Sequence, residues 1–171
     1  MRNIPDPGFA GDTGAADPAL LAALAEYDED PDGRHNPTLA VLQSRRLLVP
    51  VMAVLGEVEH DAQGLVHDKT SDMATVLMRG QDGRTALLAF TSTDAMQAWN
   101  PEARPVPVTA TQAAEAALHD QASAVVVDVA GPVMFVVEED DLRSLAGGYA
   151  LVDMDGVFAW AKVGPQDDGR A

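Results

Sequence analysis

Between Met73 and Trp99 the hydrophobic pattern changes period twice. Thr75-Val76-Leu77-Met78 and Thr85 through Phe90 are β-favouring runs, and Asp82-Gly83 between them has the positive-φ chemistry of a tight hairpin. After Phe90, Thr91-Ser92 offer two hydroxyls to orphan helix N–H groups, and Asp94 sits in the first turn of the helix they start. The pattern predicts a strand, a turn, a strand and a capped helix over 92–99.

The same signals recur along the chain. Asp17-Pro18 predicts a short helix carrying Leu20, Leu21 and Leu24. The run Asp28 to Gly33 repels itself and reads as a solvated loop, and its acids lack the offsets of a calcium loop. Asn36-Pro37 predicts the start of a helix with Leu39 and Leu42, ending near Arg45-Arg46. Leu47 to Val54 is a buried-strand run, in which Pro50 requires an edge or one-sided pairing. Residues 56–71 are a long polar connector. Pro101, Pro105 and Pro107 keep the next stretch extended. Thr109 and Gln112 have capping-box spacing, and Ala110, Ala113, Ala114, Ala117 and Leu118 share one helix face. Ala124–Asp128 and Val133–Val137 read as strands joined by a turn at Gly131-Pro132. Glu138 to Asp141 heads a helix stopped by Gly147-Gly148, and a last hairpin turns at Asp155-Gly156.

These elements predict an α/β (α+β) domain with a mixed or antiparallel sheet, built of hairpins and flanked by helices. The expected organisation is a flexible acidic segment over 1–35 with a short helix, one α/β domain over 36–163, and a disordered tail over 164–171.

Composition narrows the function classes. The 171 residues carry a net charge of −16, which disfavours nucleic acid and anionic membranes as partners. A chain so acidic is either kept soluble by self-repulsion or docks a basic partner. No apolar run nears the ~20 residues of a membrane span, and the N-terminus has no signal-peptide core, so the expected compartment is the cytoplasm. The absence of cysteine removes disulfides and thiolate chemistry. With only two lysines amid abundant Ala, Arg, Asp, Gly and Val, the composition fits a high-GC coding sequence, and its acidity also fits a halophilic source.

Several blocks resemble a known family. Leu47–Val54 (LLVPVMAV), Asp72–Val76 (DMATV), Leu87–Ser92 (LLAFTS), Trp99, Ala103–Val108 (ARPVPV) and Asp128–Val133 (DVAGPV) look like the actinobacterial branch of the SseB family. The similarity spans roughly residues 36–147 and corresponds to that family's N-terminal domain. It implies an α/β domain with no assigned catalytic residues, cofactor or established activity. The family's more usual Asn-Pro-Gly turn is here Asp128-Val129-Ala130-Gly131-Pro132.

Candidate chemistry is sparse. His35, His60, His67 and His119 have no metal-ligand spacing on a helix; His60 and His67 share the connector with Asp61 and Asp68. There is no G-x-S-x-G elbow and no phosphate-binding glycine motif, although a triad of sequence-distant residues stays open. The residues singled out are Arg46, Lys69, Asp72, Trp99 and Arg104. Gathered at strand ends they would form a cationic patch with an aromatic wall for a carboxylate or peptide terminus. Alternatively they make ordinary ion pairs around a core Trp99. The sequence therefore points to a non-enzymatic interaction or regulatory module. Its partner would be an unknown protein or a small anionic ligand; no cofactor is expected, and homo-oligomer formation is open. The alternative is a small-molecule enzyme with a site assembled from scattered residues.

The charge has a direct consequence. Self-repulsion across −16 net charges is screened within ~10 Å at 0.1 M salt, so adding NaCl from low to moderate ionic strength should raise the melting temperature. A flat or falling thermal-denaturation series would refute it.

Overall fold

The computed structural model describes residues 9–54 and 72–164. Its first helix, α1 (Pro18–Glu29), starts where Asp17 accepts the Leu20 amide at 3.1 Å and Pro18 needs no donor. The second, α2 (Pro31–Leu42), corrects two expectations. The Asp28–Gly33 run is no solvated loop, because Asp30 accepts the Gly33 amide at 3.1 Å and so caps a helix beginning at Pro31. Pro37 lies inside that helix rather than at its start. A Cβ at Gly33 would meet the capping Asp30 carboxylate, which would have to shift to admit it. Buried Thr38 ties the two helices by donating to the Ala23 carbonyl at 3.1 Å.

Strands β1 (Arg46–Val54), β2 (Asp72–Thr75) and β5 (Arg104–Thr109) make an antiparallel sheet in the order β2-β1-β5. A mixed sheet, β3-β4-β6-β7, comprises β3 (Leu77–Arg79), β4 (Thr85–Ala89), β6 (Ala124–Val127) and β7 (Phe135–Glu138), with β4 and β6 parallel. The hairpin of β8 (Tyr149–Met154) and β9 (Val157–Lys162) turns at Asp155-Gly156, both at positive φ. The predicted pairing of the segments around Asp82-Gly83 is present, with Leu77 opposite Leu87 and Arg79 opposite Thr85. The run before it divides, however: Asp72–Thr75 pairs with β1, and beyond Val76 the chain pairs with β4.

Three more helices cover the sheets. In α3 (Thr93–Trp99), Ser92 is the cap, accepting the Ala95 amide at 3.0 Å. Helix α4 (Ala110–His119) has the full Thr109–Gln112 capping box, and its buried alanines allow close approach to the sheet. Helix α5 (Glu139–Ala146) places three acids in its first turn, where they suit the helix dipole.

The unbroken apolar runs follow from burial on both sheet faces. Leu87, Ala89, Val125, Val127, Phe135 and Val137 face one core with α1, α2, α4 and α5. The alternate residues Ala86, Leu88, Phe90, Ala124 and Val126 face a second core with Leu48 and Met96 of α3.

A two-bond bridge links the sheets: the Leu48 and Phe90 amides donate to each other's carbonyls, both at 2.8 Å. Since Leu48 faces Phe90, its strand neighbours Leu47, Val49 and Val51 face β5. Pro50 therefore turns its missing N–H to the edge where β1 passes from Phe90 to β2, as its one-sided pairing predicts. By the same alternation Pro105 and Pro107 of β5 face outward. They deprive that outer edge of donors another strand could use. Replacing both by Val should restore those donors and raise the average mass in solution above the parent's, measured by size exclusion with light scattering; an unchanged mass would refute the edge reading.

Candidate functional site

The parallel strands β4 and β6 end side by side, and a polar latch closes their carboxyl ends. Asp128, just past β6, donates its amide to the Ala89 carbonyl at 3.0 Å. Its carboxylate accepts the Thr91 amide at 2.9 Å and the Thr91 hydroxyl at 2.7 Å. Its carbonyl accepts the Gly131 amide at 2.9 Å, which sets the turn into the cis Gly131–Pro132 peptide. Asp128 adopts a left-handed φ of +53°, a conformation Asp tolerates better than most residues. Thr91 and Asp128 are each only 2% exposed. Burial pushes the Asp128 carboxyl above its ordinary range, and the two Thr91 hydrogen bonds partly oppose this. Thr91 is thus no helix cap, contrary to expectation; its hydroxyl belongs to Asp128.

Over this latch opens a cleft of about 920 Å³. Leu21, Leu24 and Ala25 of α1 form one wall, Ala95 and Ala98 of α3 another, and Pro132 and Val133 a third. Asp28, Glu29 and Asp94 also line it.

Arg46 builds the remaining wall from behind. Its guanidinium meets Asp12 through Nε–Oδ2 at 2.8 Å and Nη2–Oδ1 at 2.9 Å. It also donates to the Ala15 carbonyl at 2.6 Å and the Thr91 carbonyl at 2.9 Å. The Thr93 amide donates to the Gly14 carbonyl at 2.8 Å, and a Cβ at Gly14 would strike the Thr93 side chain. These bonds hold Ala15 and Ala16 at the cleft.

The residues singled out from sequence are dispersed. Arg46 lies opposite Thr109 at one end of the β1–β5 pairing, and exposed Arg104 lies opposite Val51 towards the other. Asp72 lies opposite Val54, farther along β1. Trp99 is half-buried against the second core, its ring centroid 5.6 Å from that of Phe90. Lys69, His60 and His67 lie outside the described residues. His35 stacks on Phe135 at 5.0 Å and approaches Asp141 at 3.3 Å. Among the described residues no group of three or more His, Asp or Glu is placed to hold a metal, and no helix is long and apolar enough to cross a membrane.

The family model described as SseB protein N-terminal domain matches residues 20–144. The chain belongs to the SseB family. No curated protein and no solved structure matches it. Two of the blocks that carry the resemblance, Leu87–Ser92 and Asp128–Val133, contribute the latch and much of the cleft lining. The available sequence signal was a polar residue directly after each of two wholly apolar strand runs: Thr91 after Leu87–Phe90, and Asp128 after Ala124–Val127.

The latch has a pH signature. With the folded pKa of Asp128 above its unfolded value, the folded state binds the proton more tightly. Its stabilising effect is full at low pH and is lost as pH rises from the ordinary carboxylate range through the raised value. Asp128→Asn stays neutral and keeps both contacts once the Thr91 hydroxyl turns to accept. The variant should therefore gain on the parent in urea denaturation as pH rises through that window; parallel curves would refute it. Asp128→Ala orphans the Thr91 amide and should cost about 1–3 kcal/mol.

Proposed function

We propose that this SseB domain is a non-enzymatic interaction module and that the cleft over the Thr91–Asp128 latch is its binding site. The carrying observation is the cleft itself, about 920 Å³ with largely apolar walls. It lies beyond the carboxyl ends of parallel strands, where open α/β sheets place their ligands. Its volume and lining suit a ligand or partner side chains with an apolar body.

The small-molecule enzyme is the competing reading, and the 2.7 Å Thr91–Asp128 contact is what favours it, since a hydroxyl beside a carboxyl of raised pKa outlines a nucleophile and base. Burial weighs against it: each residue is only 2% exposed, and both Asp128 oxygens are occupied by Thr91. An anionic ligand is also less well matched to this cleft, because Arg46 already serves Asp12 and two carbonyls while carboxylates line the opening. The lysine-poor composition supports placement in the actinobacterial branch of the family.

The test is a neutral solvatochromic dye such as Nile red. The parent should bind it with a blue-shifted rise in emission. Ala98→Trp, filling the cleft from an exposed position of α3, should lose most of that signal while keeping the parent's circular dichroism. Equal dye binding by the two proteins would overturn the assignment.

A further inference from the structure

We infer that the partner of this cleft is a basic amphipathic peptide helix, which places apolar residues between α1 and α3 and sets Lys or Arg against the carboxylates at its edge; this rests on the cleft being the binding site.

Three observations carry the inference. The first is the shape of the cleft. Its helical walls are built from Leu21, Leu24, Ala25, Ala95 and Ala98, so the side chains are short except for two leucines. Small residues on two flanking helices let a third helix backbone come close, and Leu21, 45% exposed, remains to be covered. The second is charge. Asp28, Glu29 and Asp94 line the same cleft, and among the described residues no Lys, Arg or His lines it and none of the three makes an ion pair. The third is the placement of two of those acids. Asp94 suits the positive start of α3, but Asp28 and Glu29 lie in the last turn of α1, where the dipole favours cations; that turn has no basic residue, and the Arg34 guanidinium that reaches it pairs with Glu26 at 3.2 Å and with neither of them. Asp30 is the acid that caps the adjoining α2. A cation arriving from a partner would relieve this repulsion, which burial of apolar surface alone would not.

A generic attraction between an acidic protein and a basic peptide must be separated from recognition by the cleft. The probe is a fluorescein-labelled amphipathic helix of about four turns made of Leu and Lys, compared with its Leu–Glu counterpart by fluorescence anisotropy. The parent should bind the Leu–Lys helix and not the Leu–Glu helix. Asp28→Asn/Glu29→Gln/Asp94→Asn should bind about tenfold more weakly, the effect of three exposed ion pairs lost together. A control with the same charge change elsewhere, Glu102→Gln/Glu115→Gln/Asp155→Asn, should bind as the parent does once salt is raised to physiological strength. Equal weakening in both triple variants would reduce the binding to net charge and overturn the inference. So would equal affinity for the two helices. If Nile red binds the parent and is lost in Ala98→Trp, yet the Leu–Lys helix does not bind, the cleft stands as a site and the basic partner falls. If neither probe binds, both readings fall.

Discussion

The pair of hydrogen bonds between Leu48 and Phe90 fixes almost everything that matters in this fold. Two sheets that share no complete strand pairing are joined there, at 2.8 Å in each direction. The antiparallel register it sets brings Arg46, two residues before Leu48, beside the residues that follow Phe90. That is why the Arg46 guanidinium reaches the Thr91 carbonyl. The rest of its donors then gather Asp12 and Ala15, so a segment without strand or helix becomes a wall of the cleft. An arginine only 14% exposed, with bidentate carboxylate contact and two carbonyl acceptors, positions backbone and does not await a ligand.

The second constraint is that the mixed sheet is covered on both faces. An aliphatic core, with few aromatics to fill it, needs many strand positions to be apolar, and the β4 and β6 runs supply them on both sides of the pleat. Such a sheet can present polar groups only where its strands end. Thr91 and Asp128 occupy those ends, and their mutual bonds satisfy the buried groups that a cleft floor would otherwise expose. No buried side-chain polar atom among the described residues lacks a partner. The fold thus separates a rigid, internally satisfied floor from walls free to meet something else.

What was legible in the sequence were features encoded within a few residues. The Asp17-Pro18 start, the Thr109–Gln112 box and the Asp155-Gly156 turn depend on neighbours alone, and each is where local chemistry put it. The start of α2 failed because Asp30-Pro31 and Asn36-Pro37 carry the same cap-and-proline signal. Choosing between them depends on whether Asp30 reaches the Gly33 amide, which the acidity of the run disguised as loop character. Thr91 failed for a different reason: a hydroxyl before a helix reads as a cap unless a carboxylate 37 residues later takes it. Arg46 was visible as a rare cation, but its partner Asp12 lies 34 residues earlier in a stretch without periodicity. Arg46 and Arg104 both precede or open strands, and only the register places them towards opposite ends of one pairing. The cleft, made by three stretches far apart in sequence, 15–29, 91–98 and 128–133, leaves no contiguous pattern at all.

The dispersal of Arg46 and Arg104 changes how the acidity of the molecule is to be read. A cationic patch within a −16 field would have been a local exception and the natural place to seek a ligand. With Arg46 consumed internally, the local potential of the cleft has the same sign as the whole. Long-range field and short-range site would then act together on the proposed partner: net charge would raise its encounter rate, and Asp28, Glu29 and Asp94 would favour the orientation that places its cations beside them. Attraction by the field is indifferent to the cleft and is screened by salt, whereas burial against Leu21, Leu24 and the alanines is not. For a basic helix bound as proposed, selectivity would rest on the apolar contact, with the carboxylates deciding which apolar helices are admitted.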